Sequence, residues 1–353
     1  LPRAVVGYLV ATLVILLAAP LLASSAEGLA EATGLGGTFI GTTLVALSTS
    51  LPELVTTLAA VRTGAFDLAV GNIFGSNSFN MVILVPVDAT PDSEAVFPAL
   101  LPLLRARPAD VALFQVVDRA EGVGAAQEHL EACRSRLAAE GVSARATTVW
   151  GRPVDRILEA ARRQGFDLIA MGTRGRRGRE RELVGSVAEE VVASSPVPVL
   201  LCRPDTPIRD WKRILVPLDG TPEAEAALVD ASLLAHALGA TIHLLRVRLA
   251  LVTDEGFRGM QFRTPGTDPN PYLVGVSERL GREGLMALPL LREGLPAEEI
   301  LKAVDELEPG LICLSTEGGP LAERNVTAEL IRRAACPVMV RKLQVDKKAP
   351  CTA

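Results

Sequence analysis

The run VILVPVDATPDSE, Val82 to Glu94, returns downstream as RILVPLDGTPEAE, Arg213 to Glu225. Each copy is a short apolar, β-branched run, then an Asp, then a Thr-Pro pair that opens a helix pattern. A phrase that recurs with its Asp in place (Asp88, then Asp219) marks an internal repeat, so the chain contains the fold of the first copy twice. Around the first copy, strand-like runs alternate with amphipathic helix patterns. Strands are expected at VILVPVD, DVALFQVVD (Asp110–Asp118), SARATTVW (Ser143–Trp150), FDLIAMGT (Phe166–Thr173) and VPVLLCR (Val197–Arg203). Helices are expected from Ser93 to about Leu104, Gly122 to Glu140, Pro153 to Arg163 and Val184 to Ala193. Asp92-Ser93 and Arg152-Pro153 would supply the cap and first-turn chemistry. This alternation predicts an α/β fold of two doubly wound parallel-sheet domains, each binding ligands outside the carboxyl ends of its strands.

The chemistry of the first copy follows its fourth strand, in MGTRGRRGRERELVGSVAEEVV. Gly172 and Gly175 would let backbone N–H groups approach phosphates with no Cβ in the way. Gly185-Ser186 opens a helix whose N-terminus favours an anion, with Ser186 offering a cap and a hydroxyl. Arg174, Arg176, Arg177, Arg179 and Arg181 lie between them; taken alone, they read best as a solvated surface segment. The stretch resembles the Gly-x2-Gly-x9-Gly-Ser/Thr signature of the universal stress protein family, in its ATP-binding branch, over residues 82–204. That resemblance implies an ATP or other adenine-nucleotide site, with Mg2+ accompanying the phosphates. It assigns Asp88 and Val116 to the nucleoside, and Gly172, Gly175, Gly185, Ser186 and Val187 to the phosphates. Gln115 stands where the family carries a His. No Walker Lys-Ser/Thr and no carboxylate pair for metal and water accompany the motif, so binding rather than enzymatic turnover is expected.

In the second copy the phosphate loop has decayed. Ser315 occupies the first Gly position, Gly318 survives, and Asn325-Val326 replaces Gly-Ser after a shortened loop. This copy is expected to be a pseudo-site that packs on the first through its sheet edge or helices, with homodimerisation as a further expectation. Residues 249–275, rich in Pro and Gly, predict a mobile insertion, and residues 344–353 a frayed tail.

The charge distribution divides the chain again. Residues 1–87 carry only Arg3, Glu27, Glu31, Glu53, Arg62 and Asp67 as charges, while the remainder is normally charged. Ala4 to Ala23 is largely apolar and carries no charge, long enough at ~1.5 Å per residue to cross a hydrocarbon core of ~30 Å. It predicts a transmembrane helix in an all-α membrane segment. The chain opens on Leu rather than Met and is expected to continue upstream. Two apolar helices follow, interrupted at Thr49-Ser50-Leu51-Pro52-Glu53 and at Gly71-Asn72 and Gly75-Ser76-Asn77. Pro52 frees carbonyls near Ala46 and places Glu53 at the break. The residues alone leave two readings, an ion site at a broken helix and a small-residue packing face.

TSLPEL followed by GNIFGSNSFN resembles the α-repeat of the sodium/calcium exchanger (cation/Ca2+ antiporter) family over residues 36–84. The resemblance implies Ca2+ or Na+ ligands at Glu53 and Asn80, with Thr49, Ser50 and Ser76 beside them. The family completes its site with a second, inverted repeat, and no second TSLPE-like block appears downstream. The expected organisation is a partial exchanger-like segment over 1–80, a nucleotide-binding domain over 81–205, a degenerate copy over 206–343, and the tail. The protein would be membrane-associated, with its α/β domains in the cytoplasm. A cation antiporter fragment under cytoplasmic nucleotide control is the alternative.

Other classes find little support. The five cysteines are scattered, with no CxxC and no His at ligand spacing, and the three His sit in apolar patterns as packing residues. Aromatics are scarce and nowhere interleaved with basic residues, so no nucleic-acid partner is expected. One conflict remains, because Met81–Val87 is claimed both by the last apolar helix and by the first strand. A complete α/β core should outweigh the end of a helix, so the strand is expected to take it.

Overall fold

The computed structural model describes Arg62 and residues 81–107, 109–163, 165–173, 185–248, 270–317 and 325–343. The chain divides into two compact units, Leu1–Ser78 and Phe79–Ala353, and the described residues other than Arg62 all belong to the second. The expected transmembrane segment lies outside the described residues, and with it the cation ligands Thr49, Ser50, Glu53, Ser76 and Asn80. Among the described residues, no helix is long and apolar enough to cross a membrane.

The contested stretch is strand β1, Met81–Val87. Ile83, Leu84 and Val85 are fully buried, and their backbone pairs in parallel on both sides, Leu84 with Ala112 on one strand and with Ile169 on another. Sequestering three such aliphatic side chains contributes about 1.5–3 kcal/mol each. Ile83, Val85 and Val87 face one apolar layer and Leu84 faces the other. That is the alternation of a strand covered on both faces by helices.

The first copy continues with helices α1 (Pro91–Glu94) and α2 (Val96–Ala106), strand β2 (Ala109–Val117), α3 (Val123–Ala139), β3 (Ala144–Trp150), α4 (Pro153–Arg163), β4 (Leu168–Gly172), α5 (Ser186–Ser194) and β5 (Val199–Cys202). The second copy repeats this order: β6 (Arg213–Pro217), α6 (Pro222–Glu225), α7 (Ala227–Leu238), β7 (Thr241–Arg248), α8 (Pro271–Arg282), β8 (Ala287–Glu293), α9 (Pro296–Leu307), β9 (Leu311–Thr316), α10 (Val326–Arg333) and β10 (Val338–Lys342). The two halves form one ten-stranded sheet of order β3-β2-β1-β4-β5-β10-β9-β6-β7-β8. They meet at an antiparallel seam in which Leu200 faces Met339.

Three local expectations give way. The first helix is capped by Thr90, whose hydroxyl accepts from the Ser93 amide, and not by Asp92-Ser93. Pro91 takes the first helical position, where a missing N–H costs nothing. The α5 N-cap is Gly185, and Ser186 is the first helical residue. Finally, of the insertion expected over 249–275, residues 249–269 lie outside the described residues, and its end forms α8 from Pro271, because Asn270 Oδ1 accepts from the amides of Tyr272 and Leu273 (3.0 and 3.4 Å). Asn-Pro is a helix start that outweighs local Pro/Gly content.

Candidate functional site

In the first half, strand order runs 3-2-1-4-5, so successive connections leave β1 and β4 in opposite directions. The crevice between the carboxyl ends of these two strands is where doubly wound sheets take ligands. Asp88 follows β1 there. Its Oδ1 accepts from the Thr90 amide (3.2 Å) and hydroxyl (2.5 Å), and its own amide donates to Ser93 Oγ (3.2 Å). The carboxylate is thereby fixed by the same Thr that caps α1. Between them Ala89 takes φ 61°, a left-handed conformation unusual for a residue with a Cβ.

Gly172 ends β4 on the other side of the crevice. A Cβ here would sit 2.4 Å from the Asp92 carbonyl oxygen and 2.9 Å from Ser93 Cα. The first turn of α1 thus already occupies the space that the missing Cβ leaves. What requires glycine at this position is the close approach of helix and strand. The next residue, Thr173, is buried and missed by sequence reasoning. Its amide donates to the Cys202 carbonyl (2.9 Å) and its carbonyl accepts from the Gly185 amide (2.7 Å). Thr173 therefore ties the end of β4 to the start of α5. The loop between them, Gly175 included, lies outside the described residues.

Gly185 caps α5 without a side chain, leaving the exposed Ser186 and half-buried Val187 in a first turn whose N–H groups carry the positive end of the helix dipole. Val187 and Val116 of β2 are both half-buried against the same apolar layer. The structure thus brings Asp88, Gly172, Gly185, Ser186 and Val187 to one crevice, with Val116 on the neighbouring strand. Trp150, 65% exposed, ends β3 at the same edge and donates from Nε1 to the Asp118 carbonyl (3.1 Å).

The second copy uses the corresponding atoms internally. Asp219 Oδ1 accepts from the Thr221 amide (2.9 Å) and hydroxyl (2.6 Å), as Asp88 does from Thr90. At the Gly172 position, however, Ser315 donates its hydroxyl to the Glu223 carbonyl (2.5 Å). At the start of α10, Asn325 Oδ1 accepts from the Thr327 amide (2.9 Å). Arg246, the counterpart of Gln115, lies against Gly220 and over the Tyr272 ring, 5.1 Å from its centroid.

Gln115 is buried and faces α3, where its Oε1 meets His129 Nδ1 at 2.8 Å. His129 Nε2 in turn lies 2.7 Å from Glu94 Oε1 and 3.4 Å from Cys133 Sγ. His129, expected only as a packing residue, is thus held among polar partners, and Cys133 lies beside it although no His was expected at ligand spacing. His129 and Cys133 are four apart on α3, and helical spacing puts them on one face. An i,i+4 His–Cys pair was visible in the sequence; its Glu94 partner, from another element, was not.

Comparisons with known proteins agree with this division. Residues 80–203 and 210–342 match the model of the universal stress protein family, and residues 3–99 match that of sodium/calcium exchanger protein. Over 77 residues the chain is 39% identical to Universal stress protein MJ0531 of Methanocaldococcus jannaschii, covering 22% of this chain and 45% of that one. Over 56 residues it is 52% identical to Sodium/calcium exchanger MaX1 of Methanosarcina acetivorans, 16% of each. The chain spans about half or less of the length of these curated relatives. Among solved structures, the crystal structure of a universal stress protein from Archaeoglobus fulgidus superposes with a TM-score of 0.61 at 24% identity, covering 74% of this chain and 98% of that one. At that identity the likeness carries the fold. Family match and fold together cover both halves of the ten-stranded sheet, and the chain belongs to the universal stress protein family, as a tandem behind a segment similar to the sodium/calcium exchangers.

Proposed function

We propose that the first copy binds ATP or a related adenine nucleotide, with Mg2+ accompanying the phosphates, and that it acts as a regulatory, stress-responsive sensor and not as a catalyst. The observation that carries this reading is the contrast between the copies. In the first, a Thr-held carboxylate and a helix start lacking a side-chain cap converge at the switch point. In the second, Ser315 and Asn325 turn the matching positions inward. The N–H groups of the α5 first turn would hold phosphate, as helix N-termini do. Asp88 would accept from the nucleoside, and Val116 would pack beside it. Mg2+ would draw most of its ligands from the phosphates and water.

Residues 1–80 would hold the tandem at a membrane, with the α/β half in the cytoplasm. This rests on the exchanger match and on a relative named Inner membrane protein YrbG, from Escherichia coli, 39% identical over 89 residues. Calorimetric titration of the full chain with ATP tests the main reading, beside a Gly175→Val, Gly185→Val double variant. Binding near one site per chain, lost in the variant, is the expected result. A folded chain that binds nothing, or a variant that binds unchanged, refutes it. The same match over residues 3–99 favours a second reading, a cation antiporter fragment under nucleotide control. It requires sodium-driven Ca2+ uptake into liposomes that Glu53→Gln abolishes.

A further inference from the structure

We propose that Glu94, His129 and Cys133 form a binding site for a divalent transition-metal ion of the zinc class. One carboxylate oxygen, one imidazole nitrogen and one thiol sulfur lie within 4.8 Å of one another, supplied by α1 and by successive turns of α3. These are three of the donor types that zinc takes. For tetrahedral bonds of about 2.0 Å to N and O and about 2.3 Å to S, neighbouring N and S donors stand about 3.5 Å apart and N and O about 3.3 Å. Nε2 and Sγ are already at 3.4 Å; Nε2 and Glu94 Oε1, at 2.7 Å, would open by about half an ångström.

The tautomer favours coordination. An amide oxygen only accepts, so the contact of Gln115 Oε1 with Nδ1 puts a proton on Nδ1 and turns Nε2 toward Glu94 and Cys133. Metal-bound imidazoles are characteristically oriented by such a second hydrogen bond. A lone pair on Nε2 facing a carboxylate at 2.7 Å would be repulsive, so a positive species belongs between them, either a proton or a metal ion. A proton would satisfy Nε2 and Glu94 and leave the thiol to Arg136 at 3.6 Å; a metal ion uses all three. Binding releases the Cys133 thiol proton, and any Nε2 proton, to solvent.

The cluster already draws in a cation. Arg136 reaches Glu94 Oε2 at 2.5 Å and Cys133 Sγ at 3.6 Å, yet its side chain is 59% exposed and can swing into solvent. With Arg136 withdrawn, a water would complete four-coordination. Glu94 closes the helix that Thr90 caps and Asp88 steadies. A bound ion would therefore clamp α1 to α3 next to the nucleotide crevice.

The test titrates the full chain, stripped with EDTA, with Co2+ as a spectroscopic probe and Zn2+ as competitor. The expected result is one Co2+ per chain with a thiolate-to-cobalt charge-transfer band that Zn2+ removes. The band should vanish in Cys133→Ser, and Gln115→Leu, which keeps all three ligands, should weaken binding about 10–100-fold. Far-ultraviolet circular dichroism checks that both variants fold. No thiolate band in the folded wild type overturns the proposal, and so does a band that survives in Cys133→Ser. Either result would leave a His129–Glu94 contact closed by Arg136. Because the probe is the metal alone, failure here leaves the nucleotide reading untouched, and the converse also holds.

Discussion

Gly172→Ala tests how the crevice is built. The added Cβ would lie 2.4 Å from the Asp92 carbonyl oxygen and 2.9 Å from Ser93 Cα, both backbone atoms that no rotamer change can withdraw. Ordinary contact begins near 3.4 Å, so α1 must retreat by about 1 Å, carrying Thr90 and the cap that fixes Asp88. Overpacking of this kind costs about 1–3 kcal/mol. With a urea m-value of about 2 kcal/mol/M, the midpoint should fall by about 0.5–1.5 M. Urea unfolding of the full chain measures that shift, and ATP titration of the folded variant should show weakened binding as Asp88 is displaced. The reasoning fails if the midpoint moves by less than about 0.25 M, the shift for ~0.5 kcal/mol at that slope. It also fails in part if stability falls while ATP affinity holds, since Asp88 would then be indifferent to the position of α1.

Ala89→Gly should raise the unfolding free energy by about 0.5–1 kcal/mol, because Ala89 sits at φ 61° where the second copy has Gly220 at 96°; a loss of stability would contradict the strain. Ser315→Ala should cost about 1 kcal/mol for the hydrogen bond to the Glu223 carbonyl, with no change in ATP stoichiometry by calorimetry. Burial alone would raise the Glu94 carboxyl, but hydrogen bonds from His129 and Arg136 hold it below its ordinary 4.5. Its stabilising contribution is thus fully present above that value and lost as pH falls through the folded one. Glu94→Gln should flatten this acid limb in metal-free unfolding curves, and an unchanged limb would sink the assignment.

Much of the α/β half was legible because its central strands are short continuous apolar runs and its helices carry an apolar stripe, twice over. The repeated Asp-x-Thr-Pro phrase was legible as a strand end and helix start, but not which residue caps; Thr90 wins because Pro91 fits the first helical position. The glycine at 172 was read as phosphate chemistry, since nothing in the sequence says that the Asp92 carbonyl packs on it. The decay of the second site was legible in Ser315 and Asn325, yet their new bonds to Glu223 and Thr327 needed the fold. Likewise the seam was anticipated only as an edge or a helix face. Its antiparallel register, Val338 with Leu201 and Val340 with Val199, joins parallel halves that share both apolar layers.

The stretch at the junction carries the broadest consequence. Both family models claim residues 80–99, but one backbone can make only one set of hydrogen bonds. From Met81 to Val87 that set goes to β2 on one side and β4 on the other, and the next residues form α1 and the start of α2. Withdrawing β1 into a membrane helix would expose the centre of the first half-sheet and remove Asp88 from the crevice. The α/β half therefore holds this segment, and an exchanger-like activity of the preceding residues would have to do without it.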